Sequence, residues 1–136
     1  MARAATGVGV GWTEARVEDA RFVLREEHHR PALERLLRLA RETFHYDLSD
    51  LQLRDVDGFL RLLGFATERD GGDIVGLAFE DKLVPEIEDV FDALAPYLEA
   101  GSYVRMHGGT NARWRYDFDG NVCHRRDEPP DYWKGR

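Results

Sequence analysis

The stretch GSYVRMHGGTNARWRYDFDGNVC, residues 101–123, restricts the fold more than any other part of the chain. Within it Trp114, Tyr116 and Phe118 alternate with Arg113, Arg115 and Asp117. Side chains reverse direction at every residue of a strand, so one face is aromatic and the other charged. Gly108-Gly109-Thr110-Asn111 and Asp119-Gly120-Asn121 supply residues that tolerate positive φ. The stretch therefore predicts three short strands joined by two tight turns, with the aromatic face toward a core.

Three segments have the helical period needed to cover that face. In residues 26–44, Leu33, Leu36, Leu37, Ala40 and Phe44 form one stripe. Pro31 belongs in a first turn, so this helix starts near Arg30 and the acidic turn at Glu26 and Glu27 stands apart. Ser49 with Gln52 resembles a capping box. Asp55 caps a second helix with Val56, Phe59, Leu60 and Leu63 inward, and Gly64 ends it. Pro85 opens a third helix with the stripe Ile87, Val90, Phe91, Leu94 and Leu98, and Pro96 stops or kinks it.

The remaining segments read as strands and loops. Residues 65–80 form a hairpin about Asp70-Gly71-Gly72-Asp73, with Val75, Leu77 and Phe79 on one face. Val8, Val10 and Trp12 suit an opening strand. Residues 13–19 read as a polar loop, and 20–24 as a strand with Phe22 and Leu24 on one face. The tail at 127–136, DEPPDYWKGR, is extended after Pro129-Pro130, with Tyr132 and Trp133 free to pack back or meet a partner. The order strand, helix, helix, hairpin, helix, meander predicts a single α+β domain over residues 1–136. Its sheet is mainly antiparallel with about three helices on one face, a ferredoxin-like or similar two-layer sandwich.

Composition narrows the function classes. The chain has 136 residues, 43% hydrophobic and 33% charged, as expected of a folded protein with a real core. No apolar run approaches the roughly 18 residues that span a bilayer, and the N-terminus lacks the apolar region of a signal peptide. Cys123 is the only cysteine, which fits a reducing cytoplasm. A net charge of −7 argues against general nucleic-acid binding and favours solubility or a basic protein partner. Oligomeric state is left open.

The motifs for chemistry are sparse, and no catalytic residue is assigned. Gly7, Gly9 and Gly11 are spaced like a nucleotide loop, but GxGxxG and a Walker lysine are both missing. His28, His29, His45, His107 and His124 lack metal-ligand spacing, and neighbours such as Cys123 and His124 diverge on a strand. No metal and no cofactor is therefore expected. Cys123, His107 and Asp117 sit on neighbouring strands, yet spacing alone does not align them for nucleophilic catalysis.

Two charged features remain. Acids dominate residues 80–99, where Glu80, Asp81, Glu88, Asp92 and Glu99 form the candidate partner-binding set. Glu88, Asp92 and Glu99 fall along the outer stripe of the third helix, a like-charged ridge that a cationic partner would relieve. The alternative site is an arginine and aromatic face that carries Arg105, Arg113, Arg115, Arg125 and Arg126 with Tyr103, Trp114, Tyr116 and Trp133. Its candidate ligand residues are Arg105, His107, Arg113 and Arg115, suited to an anion or a nucleotide base. Cross-strand pairing with Asp117 and Asp119 is its plainer role.

The segment LAPYLEAGSYVRMHGGTNARWRYDFDG, residues 94–120, resembles a unit at the C-terminus of many small bacterial and phage proteins of unassigned function. In that unit a helix ends in an AP-aromatic step, followed by GSY, a glycine turn and a WR-aromatic strand ending in glycine. The chain departs from it at His107-Gly108-Gly109-Thr110, where the usual turn is more acidic. The resemblance implies an α+β fold and a mobile-element or toxin-neighbour setting, and it transfers no catalytic residue. Together these features predict a non-enzymatic, immunity-like or accessory binding module. The alternative is a small-molecule or nucleotide binder, or an enzyme, using the arginine and aromatic face.

Overall fold

A computed structural model describes residues 14–48, 53–109 and 111–129. In chain order the elements are β1 (Glu14–Arg21), a 3-10 turn (Glu26–His28), α1 (His29–Glu42), α2 (Val56–Leu62), β2 (Ala66–Asp70), β3 (Asp73–Ala78) and β4 (Glu80–Lys82). They continue with α3 (Ile87–Leu94), a second 3-10 turn (Ala95–Tyr97), β5 (Ser102–Gly108), β6 (Arg113–Phe118) and β7 (Cys123–Glu128). The α+β class expected from the sequence is the one adopted. A five-stranded antiparallel sheet has the order β4-β1-β5-β6-β7, and β2-β3 form a separate hairpin.

The alternation in β6 decides which face is covered. Trp114, Tyr116 and Phe118 are buried, while Arg113, Arg115 and Asp117 stay in partial contact with solvent. Val104 and Met106 lie opposite Tyr116 and Trp114 on β5 and extend the apolar face. Phe91 of α3 sits over it, its ring centroid 4.9 Å from Tyr116, 5.7 Å from Phe118, 5.9 Å from Phe22 and 6.0 Å from Phe65. The meander turns as its glycines and Asn111 suggest, with φ of 68° at Asn111 and 94° at Gly120.

The hairpin docks on the chain beyond β1, where Leu24 and Ile74 exchange backbone hydrogen bonds of 2.9 and 3.0 Å. Helix α2 begins at Asp55, whose carboxylate accepts the Gly58 amide at 2.8 Å. Asp57, in its first turn, is buried against β2. Burial alone would raise its pKa, but hydrogen bonds from Arg69 and Thr67 prevail and hold it at about 2. A carboxylate depressed in this way stabilises the fold above its ordinary value of 3.8 and loses that contribution as pH falls toward 2. Asp57→Asn is therefore expected to cost about 2 kcal/mol at neutral pH and almost nothing near pH 2. Urea melts across that range measure it, and a penalty independent of pH would rule out the ion pair as the cause.

Several sequence-based boundaries move. The expected loop at 13–19 and strand at 20–24 are replaced by β1, which ends at Arg21. Its Glu, Arg and Ala residues are weak strand formers, and a bulge between Val17 and Asp19 interrupts the alternation. The buried face of α1 is Ala32, Leu36, Leu39 and Ala40, with Leu33, Leu37 and Phe44 only half-buried. The stripe is rotated because α2 and α3 cover α1 together. In the hairpin Ile74 is fully buried and Val75 half-buried, since a register shift at Glu68 and Arg69 turns β3. The third meander strand runs on to Glu128 and takes two residues of the expected tail.

Val8, Val10 and Trp12, the Gly7-Gly9-Gly11 run, the Ser49 and Gln52 cap, Thr110, and Tyr132 and Trp133 lie outside the described residues. No helix among the described residues is long and apolar enough to cross a membrane.

Candidate functional site

The acidic residues of the expected partner-binding set fall in three places. Pro96 ends the helical run in the 3-10 turn, so Glu99 lies beyond α3 and not along it. There it bridges Arg21 at 2.9 Å and Arg25 at 2.8 Å, and these hydrogen bonds, Arg25 first, hold its carboxyl below the ordinary value. Glu80 and Asp81 lie on β4, paired with Arg16 and Ala15 of β1. Only Glu88 and Asp92 share α3, where Asp89 joins them.

The α3 cluster sits beside β7. Glu88 accepts the Tyr116 hydroxyl at 2.9 Å and meets the Arg125 guanidinium at 3.2 Å. The Trp114 indole N–H donates to the same Tyr116 oxygen at 3.1 Å, and Arg125 stands 5.5 Å from the Trp114 ring centroid. Burial and then Glu88 raise the Tyr116 phenol. Asp89 and Asp92 form no ion pair among the described residues, and the Asp92 carboxyl is pushed up by burial, then by Asp89 and Glu88. Cys123 lies on the same side, pushed up to about 12 by burial and then by Asp92, Glu88 and Asp117. Its thiol is protonated at neutral pH and a poor nucleophile. His107 and Asp117 are on the other face of the sheet, away from Cys123.

That other face carries the arginines. Arg105, Arg115 and Arg126 stand directly opposite one another on three adjacent strands. Like charges so placed repel, and carboxylates between them offset the repulsion. Glu128 meets Arg105 at 3.3 Å, and Asp117 meets Arg115 at 2.8 Å and Arg126 at 3.2 Å. Arg113 pairs with Glu18 of the β1 bulge at 2.9 Å. Arg115 lies 4.8 Å from the Tyr103 ring centroid, and the Tyr103 hydroxyl donates to Asp19 at 2.8 Å. Arg105, Arg113 and Arg115 are thus brought together on one sheet face, each in an ion pair.

His107 joins a different group. A shallow depression of about 300 Å³ is lined by Glu14, Arg16, Glu80, Asp81, His107 and the Gly108-Gly109 turn. The fold unites Glu80 and Asp81 with His107, which sequence reasoning had placed in rival sites. No three His, Cys, Asp or Glu side chains among the described residues converge as a metal site.

The sequence groups Arg125 with the arginine face, but it lies opposite Tyr116 and so turns toward the helices, away from Arg105, Arg115 and Arg126. Tyr116 was placed in the core, but its hydroxyl reaches the helix surface at Glu88. No family model, curated protein or solved structure matches the chain.

Proposed function

We propose that this chain is a non-enzymatic binding module, immunity-like or accessory in character, that docks a basic protein through the acidic face of α3. The observation that carries this reading is the crowding of Glu88, Asp89 and Asp92. Among the described residues the arginine that pairs with them, Arg125, serves Glu88, while burial and then the neighbouring acids raise the Asp92 carboxyl. A lysine or arginine arriving from a partner would relieve that repulsion and gain charge-assisted hydrogen bonds in the same step. Glu80, Asp81 and Glu99 lie outside the contact patch and contribute to the long-range field that steers a cationic partner. The single half-buried cysteine fits action in the reducing cytoplasm.

Asp89→Lys with Asp92→Lys tests the patch without touching the Tyr116, Glu88 and Arg125 network. Capture of a basic partner from extracts of the native cell is expected at low salt, with loss at high salt. The double reversal is expected to weaken binding of the purified partner tenfold or more, about 1.4 kcal/mol. A partner whose affinity ignored both salt and the reversal would overturn the reading.

The small-ligand alternative has one observation in its favour, the depression beside His107. Arg105, Arg113 and Arg115 do not line it. A thermal-shift screen of nucleotides and phosphorylated metabolites separates the two readings, since ligand at 100 times Kd adds about 2.7 kcal/mol.

A further inference from the structure

The five-stranded sheet has two unlike edges. One is β4, only three residues long, and the other is β7, six residues long. Among the described residues β7 is hydrogen-bonded to a strand on one side only, and His124, Arg125, Arg126 and Asp127 are all exposed. An unpaired strand of about 20 Å is a template for another strand unless its charges repel whatever approaches. Charges of one sign do that against any copy of the same chain. Those of β7 do not, because Arg125, Arg126, Asp127 and Glu128 run positive, positive, negative, negative. An antiparallel copy reads the same series reversed, so cations come to face anions.

We propose that β7 pairs antiparallel with β7 of a second copy of this chain, joining the two sheets across a two-fold axis. The pleat fixes the register. Arg125 and Asp127 point to the helix side and His124, Arg126 and Glu128 to the other, and directly opposed residues share a side. With the axis at Arg126, Arg125 of each copy opposes Asp127 of the other on the helix side. On the far side His124 opposes Glu128 of the other copy. The two Arg126 side chains meet at the axis, where Asp117 of the same chain lies 3.2 Å from each guanidinium and Glu128 of the other copy is the diagonal neighbour. The inference is independent of the α3 reading, and an isologous interface of this kind closes on itself at two copies.

Sedimentation equilibrium of the full chain across micromolar concentrations is expected to show a species of twice the 15.6 kDa chain mass. Asp127→Lys sets a lysine against Arg125 of the other copy. The Asp127 side chain is 79% exposed, so the fold should persist, as far-UV circular dichroism will verify. This variant is expected to raise the dimer dissociation constant at least tenfold. Mixing it with Arg125→Glu should restore the dimer, since both opposed pairs then carry opposite charges. His124→Glu, which faces Glu128, gives an independent loss of dimer should Arg125→Glu unfold through its contact with Glu88. A chain that stays monomeric at every concentration overturns the proposal and leaves the edge to a strand from another protein. A dimer indifferent to Asp127→Lys and His124→Glu overturns it as well, because its interface would then lie elsewhere.

Discussion

Phe91→Ala is expected to lower stability by about 4 kcal/mol. The ring is fully buried and has four aromatic neighbours within 6.0 Å, drawn from the segment after β1, the entry to β2, and β6. Three of these contacts are edge-to-face or steeply tilted, the arrangement the ring quadrupole favours. Removing the ring loses its transfer free energy and leaves a void whose walls are held by the sheet on one side and the hairpin on the other. Those walls are tied to separate backbones, so they close poorly and the cavity contribution is large. Phe91→Leu should recover most of the loss. Urea denaturation of both variants measures the difference, and a loss below about 2 kcal/mol for the alanine variant would mean that α3 moves to fill the space.

Trp114→Ala is expected to cost about 3 kcal/mol, and the cause is packing more than hydrogen bonding. The side chain is 8% exposed, faces Met106 across the β5-β6 pair, and rests on Gly108, where an added Cβ would sit 3.2 Å from the indole Cζ3. Its N–H donates to Tyr116, so Trp114→Phe keeps most of the apolar contact and should cost about 1 kcal/mol. An exposed stacking platform would behave in the opposite way, with little change in melting and complete loss of binding. Denaturant melts decide between them, and a loss below about 1 kcal/mol for Trp114→Ala would remove the indole from the core.

The parts of this fold legible in the sequence are those where one residue type answers to one local rule. The period of two in β6, the cap at Asp55, the αL stop at Gly64 and the break at Pro96 each follow from a side chain and its own backbone. β1 was misplaced because its residues are charged or small and it becomes a strand only through pairing with distant segments. β7 runs two residues past its expected end because its charged residues carry no apolar alternation to mark it. The charged sites were harder still. Sequence spacing put Glu99 in line with Glu88 and Asp92, but that spacing holds only while the helix lasts, and Arg21 and Arg25 come from the opposite end of the chain. Glu80, Asp81 and His107 meet only because β1 is paired by β4 on one side and β5 on the other, which no local signal announces.

The insertion of β1 between β4 and β5 also sets the order in which the chain can fold. The bond from the Val23 amide to the Ser102 hydroxyl joins residues 79 apart in sequence, and Glu99 returns to Val23 across a similar span. The meander of β5, β6 and β7 can form from local contacts within microseconds, whereas β1 must close a long loop before it gains anything. During synthesis β1 leaves the ribosome on the order of ten seconds ahead of β5. For that interval its polar residues keep an unpaired strand soluble, which an apolar strand of the same length would not. The charged sequence that hides β1 from pattern recognition is thus what allows it to wait for its partner.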